Sequence, residues 1–132
     1  MADLIRKFYE AKKIIFYKVN YWGSGKPLKE FLYVEDFAEA CLFALENWFP
    51  NNSYAPKDNI GESLSLLNIE RDFEISISEL SYKISKIIGF KGEIVWDESK
   101  PDGTLRKKLY TSHINNMDWA PKTNLDLGFK KL

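Results

Sequence analysis

The stretch Lys100-Pro101-Asp102-Gly103-Thr104-Leu105-Arg106-Lys107-Lys108 sets one carboxylate among four cations. Pro101 and Gly103 favour a turn, which would present Asp102 from a loop. A carboxylate so placed can accept from a sugar hydroxyl while the cations meet an anionic ligand. On spacing alone the better reading is a solvated charge cluster, because loops usually carry charge. Trp22-Gly23-Ser24-Gly25 followed by Lys29-Glu30-Phe31 is a second constellation. A tryptophan can cover a base or sugar, glycines let the backbone approach closely, and Lys29 can meet phosphate as a point charge. A hairpin with a packed tryptophan accounts for the same residues equally well. Tyr9-x-x-x-Lys13 and Tyr82-x-x-x-Lys86 have the spacing in which a lysine lowers a phenol's pKa for proton exchange with a carbonyl. Neither pair follows a dinucleotide fingerprint or an upstream serine, and in a chain with this many tyrosines and lysines the spacing arises by chance. His113 stands alone and reads as a surface or packing residue. Cys41 lies in an apolar stripe with no basic neighbour to activate it, and reads as a small core residue.

Composition narrows the chemistry further. The 132 residues carry 19 basic and 19 acidic side chains, a formal net charge of zero. That balance removes any global electrostatic case for nucleic acid or an anionic membrane. The longest apolar run, Ile14-Ile15-Phe16-Tyr17, is far too short to span a bilayer, and no signal-peptide pattern follows Met1. A single cysteine excludes an intramolecular disulfide and suits a reducing cytoplasm; a single histidine excludes a His-rich zinc site within one chain. No Gly-x-Gly-x-x-Gly follows a strand and no phosphate loop is present, so a self-sufficient nucleotide cradle is not visible. Aromatic residues make up 15%, more than a short chain easily hides. They form a dense core, or some face a ligand or a further part of the protein.

The elements that must position these groups follow from periodicity. Residues 3–13 read as a helix with Leu4, Ile5, Phe8 and Ala11 on one face. Residues 14–22 read as a strand, with Tyr17, Val19 and Tyr21 alternating with Lys18 and Asn20. Residues 23–27 are a turn, and 29–34 a short strand. Residues 35–48 read as a helix with Phe37, Ala40, Cys41, Ala44, Leu45 and Trp48 as its apolar stripe, and Glu35 and Asp36 favour its first turn. Residues 49–61 are a polar loop, and 64–69 read as a buried strand. Ser76-Ile77-Ser78-Glu79 is a capping box opening a helix through Ile77, Leu80, Ile84, Ile87 and Ile88 to Gly89. A short strand at 93–96, a polar loop at 99–108 and a helix from Asn124 to Leu132 complete the chain. The order is that of an α/β or α+β fold.

Taken in order, these segments resemble the C-terminal part of the GDP-L-fucose synthases, within the extended short-chain dehydrogenases/reductases. The resemblance rests on Ile5-Arg6-Lys7-Phe8-Tyr9-Glu10-Ala11, Trp22-Gly23-Ser24-Gly25, Glu30-Phe31-Leu32-Tyr33-Val34-Glu35-Asp36, Ile75-Ser76-Ile77-Ser78-Glu79-Leu80, Gly89-Phe90-Lys91-Gly92, Lys100-Pro101-Asp102-Gly103-Thr104 and Trp119-Ala120-Pro121-Lys122. The Lys-Pro-Asp-Gly-Thr stretch is the most specific of them. The resemblance implies an NADPH-dependent epimerase/reductase acting on a GDP-4-keto-6-deoxy sugar. It implies that Lys7, Trp22, Lys29 and Asp102 bind the GDP-sugar substrate. It also implies that the family's NADP site and its catalytic Ser, Tyr, Lys, Cys and His lie upstream of the part seen here, so Cys41 and His113 do not inherit those roles.

Two departures from the family stand out. Lys7 and Lys29 replace arginines, keeping the charge but losing the bidentate fork. Asn68-Ile69-Glu70-Arg71-Asp72 replaces an Asn-Val-Gly-x-Gly pattern, so a tight glycine turn is expected to be lost. The expectation is a C-terminal substrate-binding domain over residues 1–132, without the Rossmann domain, cytoplasmic, inactive alone and binding no cofactor itself. Its partners would be a GDP-sugar and either the missing Rossmann domain or a second copy in a homodimer, with no nucleic acid and no membrane. A free-standing GDP-sugar-binding or assembly module, or a remnant that has lost its ligand, are the alternatives.

Overall fold

The computed structural model describes residues 1–15, 17–53 and 55–131. Phe16 of the apolar run and first strand, Tyr54 of the polar loop, and Leu132 at the end of the last expected helix lie outside the described residues. The chain forms two compact units, Met1–Lys29 with Glu74–Lys107 and Glu30–Phe73 with Lys108–Leu132.

The first unit is a helix pair on a parallel strand pair. Helix α1 (Ala2–Lys13) buries Leu4, Phe8 and Ala11 and carries Asp3 in its first turn and Lys12 and Lys13 in its last, as the helix dipole favours. Strand β1 (Lys18–Trp22) alternates exposed and buried residues. Short β2 (Leu28–Glu30), at the boundary of the units, pairs with β3 (Glu74–Ser76). In the second unit α2 (Val34–Asn47) lies between them in sequence. Helix α3 (Ile77–Ile88) has the expected capping box: Ser76 Oγ accepts from the Glu79 N–H, and the Glu79 carboxylate accepts from the Ser76 N–H. Gly89 ends α3 in the left-handed region, φ 73°.

Strand β4 (Glu93–Asp97) runs parallel to β1, with Lys18 opposite Glu93 and Trp22 opposite Asp97. One face of this pair packs on the helices. Phe8 is fully buried, its ring centroid 5.7 Å from Tyr21 and 5.4 Å from Phe90, and Tyr21 lies 5.3 Å from Trp96. Burial holds the Tyr21 phenol above its ordinary pKa range. Leu80 and Ile84 fill the α3 side of this core, whereas Ile87 is 54% exposed and leaves the expected stripe. Tyr9 and Tyr82 are exposed, and the Lys86 ammonium stands 4.5 Å over the Tyr82 ring rather than at its hydroxyl. Tyr82 and Lys86 are thus a surface pair.

The second unit is built on α2, α4 (Ser112–Asn115) and α5 (Leu125–Lys130), the last capped by Asn124. Its core is Ala40, Ile114 and Trp119, with Leu32, Phe43 and Ile69 against them. Asp36, 4% exposed, accepts from the Thr123 N–H at 2.8 Å and the Thr123 hydroxyl at 3.0 Å. Helix α2 therefore turns inward a face one residue away from the stripe that apolarity suggests. Asp36 and Ala40 point in, while Phe37 is 48% and Leu45 77% exposed and Cys41 is half-buried.

The strand expected at 64–69 does not form among the described residues. Leu66 is exposed, and the Asn68 side chain binds the Tyr110 carbonyl. An apolar run becomes a strand only beside a strand edge, and the segment has none in this unit. Asp72 takes the left-handed backbone, φ 55°, with its carboxylate 2.7 Å from Lys108. Aspartate tolerates that conformation better than most other non-glycine residues.

Asp36→Ala should lower the stability of the second unit by about 3 kcal/mol, the cost of leaving two buried donors unpaired. Urea unfolding followed through Trp119 checks this, and a loss below about 1 kcal/mol would contradict the role given to Asp36.

Candidate functional site

The C-terminal ends of β1 and β4 and the N-terminus of α3 meet at one end of the first unit. The Ile77 N–H donates to the Pro27 carbonyl at 3.1 Å and the Ser78 N–H to the Gly25 carbonyl at 2.9 Å. Loop 23–27 thus closes the helix N-terminus. Gly25, φ 71°, leaves no room for a Cβ, which would lie 2.9 Å from the Trp96 ring. The same closure leaves α3 unable to cradle a phosphate, and the first turn of α2 carries Glu35 and Asp36. Neither of these two helix N-termini fits a dinucleotide pyrophosphate.

Loop 97–106 lies along this segment. The Asp97 carbonyl accepts from the Gly23 and Lys100 N–H groups, and its carboxylate accepts from Ser99. Lys100 stands 5.9 Å from the centroid of the Trp22 ring, which is 74% exposed. The Asp102 carboxylate accepts from the Ser24 N–H at 2.8 Å and from the Ser24 hydroxyl at 2.6 Å. A Cβ on Gly23 would collide with Asp102 Oδ1. Lys29 Nζ donates to the Thr104 carbonyl at 2.6 Å, and Leu28 binds Leu105 and bridges to Arg106. Arg106 is itself held by the Glu74 carboxylate through two bonds.

Three of the four expected residues therefore share one end of the unit. Trp22 and Asp102 are joined through Gly23 and Ser24, and Lys29 through Thr104. Trp22 points away from the helix face, as alternation from buried Tyr21 requires. Lys7 stands apart from them. Its ammonium lies 5.0 Å over the Tyr21 ring and 3.6 Å from Asp3, on the α1 side of β1. Ser24, to which the sequence pattern gives no role, occupies the centre. The signal that could have found it is a small hydroxyl residue between two glycines, facing a lone aspartate among cations. His113 packs edge-on to Tyr110, as a packing residue does.

Chemically the arrangement offers an exposed aromatic plane, cations and a carboxylate fixed in its ionised form. The Ser24 hydroxyl, then the Ser24 N–H and nearby Lys26, hold the Asp102 carboxyl below the usual aspartate range. A depressed carboxyl keeps its bonds at neutral pH and loses them only as pH falls through its lowered value. The Trp22 indole NMR signal should therefore stay fixed across the pH range where a free aspartate titrates, and move only in stronger acid. Movement with an ordinary aspartate midpoint would show that Ser24 does not hold the carboxylate.

The family model of the NAD-dependent epimerases/dehydratases matches residues 1–58. A GDP-L-fucose synthase of Sinorhizobium fredii is 43% identical over 97% of this chain and 37% of its own length. The GDP-L-fucose synthase of Escherichia coli is 36% identical over 95% of this chain and 38% of its own. Among solved structures, the GDP-L-fucose synthetase of Naegleria fowleri bound to NADP superimposes with a TM-score of 0.73 at 27% identity, covering 97% of this chain and 36% of that one. The GDP-mannoheptose C4 reductase of Campylobacter jejuni with NADP bound gives a TM-score of 0.77 at 26% identity, covering 98% and 41%. The chain spans little more than a third of the length of the curated relatives it matches. A parallel strand pair under two helices, the Trp-Gly-Ser-Gly and Lys-Pro-Asp-Gly-Thr loops lying side by side, and these matches lead to one conclusion: over nearly its whole length the chain is similar to the C-terminal part of the GDP-L-fucose synthases and has the fold of that part of the extended short-chain dehydrogenases/reductases.

Proposed function

We propose that this chain is the substrate-binding domain of a GDP-L-fucose synthase, the NADPH-dependent epimerase/reductase that makes GDP-L-fucose from GDP-4-keto-6-deoxymannose. The observation that carries the reading is the stapling of loop 97–106 along residues 22–29, which gathers Trp22, Lys29 and Asp102 at one end of the first unit. Trp22 offers its ring to the base or sugar, and Lys29 offers its charge to a phosphate. Asp102 has lone pairs left after Ser24 to accept from a sugar hydroxyl. Lys7 supplies a cation from α1, with arginine's fork missing at both lysine positions. Hydride and proton transfer belong to a partner polypeptide segment that carries the NADP site and the catalytic residues.

The exposed side of α2 favours a partner for the second unit as well. Val34, Phe37, Leu42 and Leu45 are 70%, 48%, 61% and 77% exposed along this helix. Such a face is covered by a Rossmann domain, or by a second copy in a homodimer when that domain is absent.

Amide NMR with GDP-mannose should move signals near Trp22, Lys29, Asp102 and Lys7. Lys29→Ala should weaken that binding roughly tenfold or more, the value of a charge-assisted contact. A dispersed spectrum that GDP-mannose leaves unchanged would remove the binding role from this chain alone. The purified chain should not oxidise NADPH with the 4-keto sugar, and turnover would refute its dependence on a partner. Light scattering at high concentration should report self-association that Leu45→Glu abolishes; a monodisperse wild-type monomer would contradict it.

A further inference from the structure

The Ser24 hydroxyl has a single proton, and the geometry leaves it one direction. Its oxygen accepts from the Lys26 N–H at 3.2 Å, and its proton goes to Asp102 Oδ2 at 2.6 Å. Its backbone N–H goes to the other carboxylate oxygen. One residue thus engages both oxygens of Asp102 and leaves each with lone-pair capacity for a ligand. Lys100 and Thr104 lie two residues either side of Asp102, and they face Trp22 and Lys29 respectively.

We propose that Ser24 is the positioning residue of the nucleotide-sugar site, fixing Asp102 as an acceptor and, through its loop, setting Lys100 over Trp22 and Thr104 against Lys29. The proposal deepens the GDP-sugar reading and rests on it for the ligand. Without Ser24 the loop keeps its other ties, Gly23 and Lys100 to Asp97, Lys29 to Thr104 and Leu28 to Leu105, but among the described residues none of these holds the Asp102 carboxylate. Ser24 touches no reacting atom in this scheme; it acts through Asp102. Threonine retains the hydroxyl and should retain the function, whereas alanine keeps only the N–H. Asparagine at 102 has one acceptor oxygen for two donors.

The test compares Ser24→Thr, Ser24→Ala, Asp102→Asn and the double variant in the full chain, each checked for a dispersed amide spectrum. Two signals are read without ligand: the Asp102 carboxyl carbon against pH, and the Trp22 indole. Ser24→Ala should raise the Asp102 midpoint toward that of a free aspartate and shift the indole, and Ser24→Thr should do neither. GDP-mannose affinity should fall roughly tenfold in Ser24→Ala and Asp102→Asn, and the double variant should bind no more weakly than Asp102→Asn alone. A folded Ser24→Ala with an unmoved carboxyl midpoint and indole overturns the proposal, as does full additivity in the double variant. If the carboxyl and indole respond as expected while no variant and no wild type binds GDP-mannose, the ligand reading fails and the positioning role of Ser24 stands.

Discussion

The first turn of a helix has amide hydrogens with no partner in the helix itself, and in α3 those amides dictate the loop that precedes it in space. Ser76 answers one, and the carbonyls of Gly25 and Pro27 answer two more. Reaching both forces loop 23–27 against Trp96, and only glycine fits at 25. The same path takes Gly23 through a left-handed turn, φ 84°, and leaves Ser24 facing Asp102. The arrangement of the candidate site is thus downstream of a capping requirement. Trp22 and Lys29 flank the loop that caps α3, and their separation is set by that loop rather than by any ligand.

Much of this was legible in the residues. The capping box and the Gly89 stop are local signals, decided by hydrogen bonds within a few positions, and both appear where expected; the strand expected over 14–22 begins only at Lys18, with Tyr17 exposed. The pairing of loop 97–106 with residues 22–29 was not legible. It joins stretches far apart in sequence, and its key residue, Ser24, has no periodicity or charge to mark it. The strand expected at 64–69 fails for the related reason that a strand is a property of two segments. Leu64-Ser65-Leu66-Leu67 has the composition but no edge to pair with in the second unit.

Helix α2 shows how an apolar stripe can mislead when one buried carboxylate is involved. Asp36 looks like a first-turn charge suited to the helix dipole, and that reading sends it to the surface. In the structure it is a buried acceptor for Thr123, on the same face as Ala40, while Phe37, Leu42 and Leu45 stay outside. The glycine pattern lost at 70–72 is a milder case. Glu70 is pushed above its ordinary pKa by burial and then by the charge of Glu30, while Asp72 keeps the backbone turn that glycine would make.

The first unit is made of two stretches of chain with the whole of 30–73 between them. Strand β1 therefore leaves the ribosome long before β4, its parallel partner. At ordinary rates of synthesis the interval is roughly several seconds, while the collapse of a chain this size takes far less than a millisecond. During that interval Val19 and Tyr21 have α1 beside them but neither α3 nor β4 to close the layer. The nascent chain must carry an open strand edge through the synthesis of residues 30–73, the larger part of the second unit, which makes the order of translation, and whatever shields that edge, part of how this domain is made.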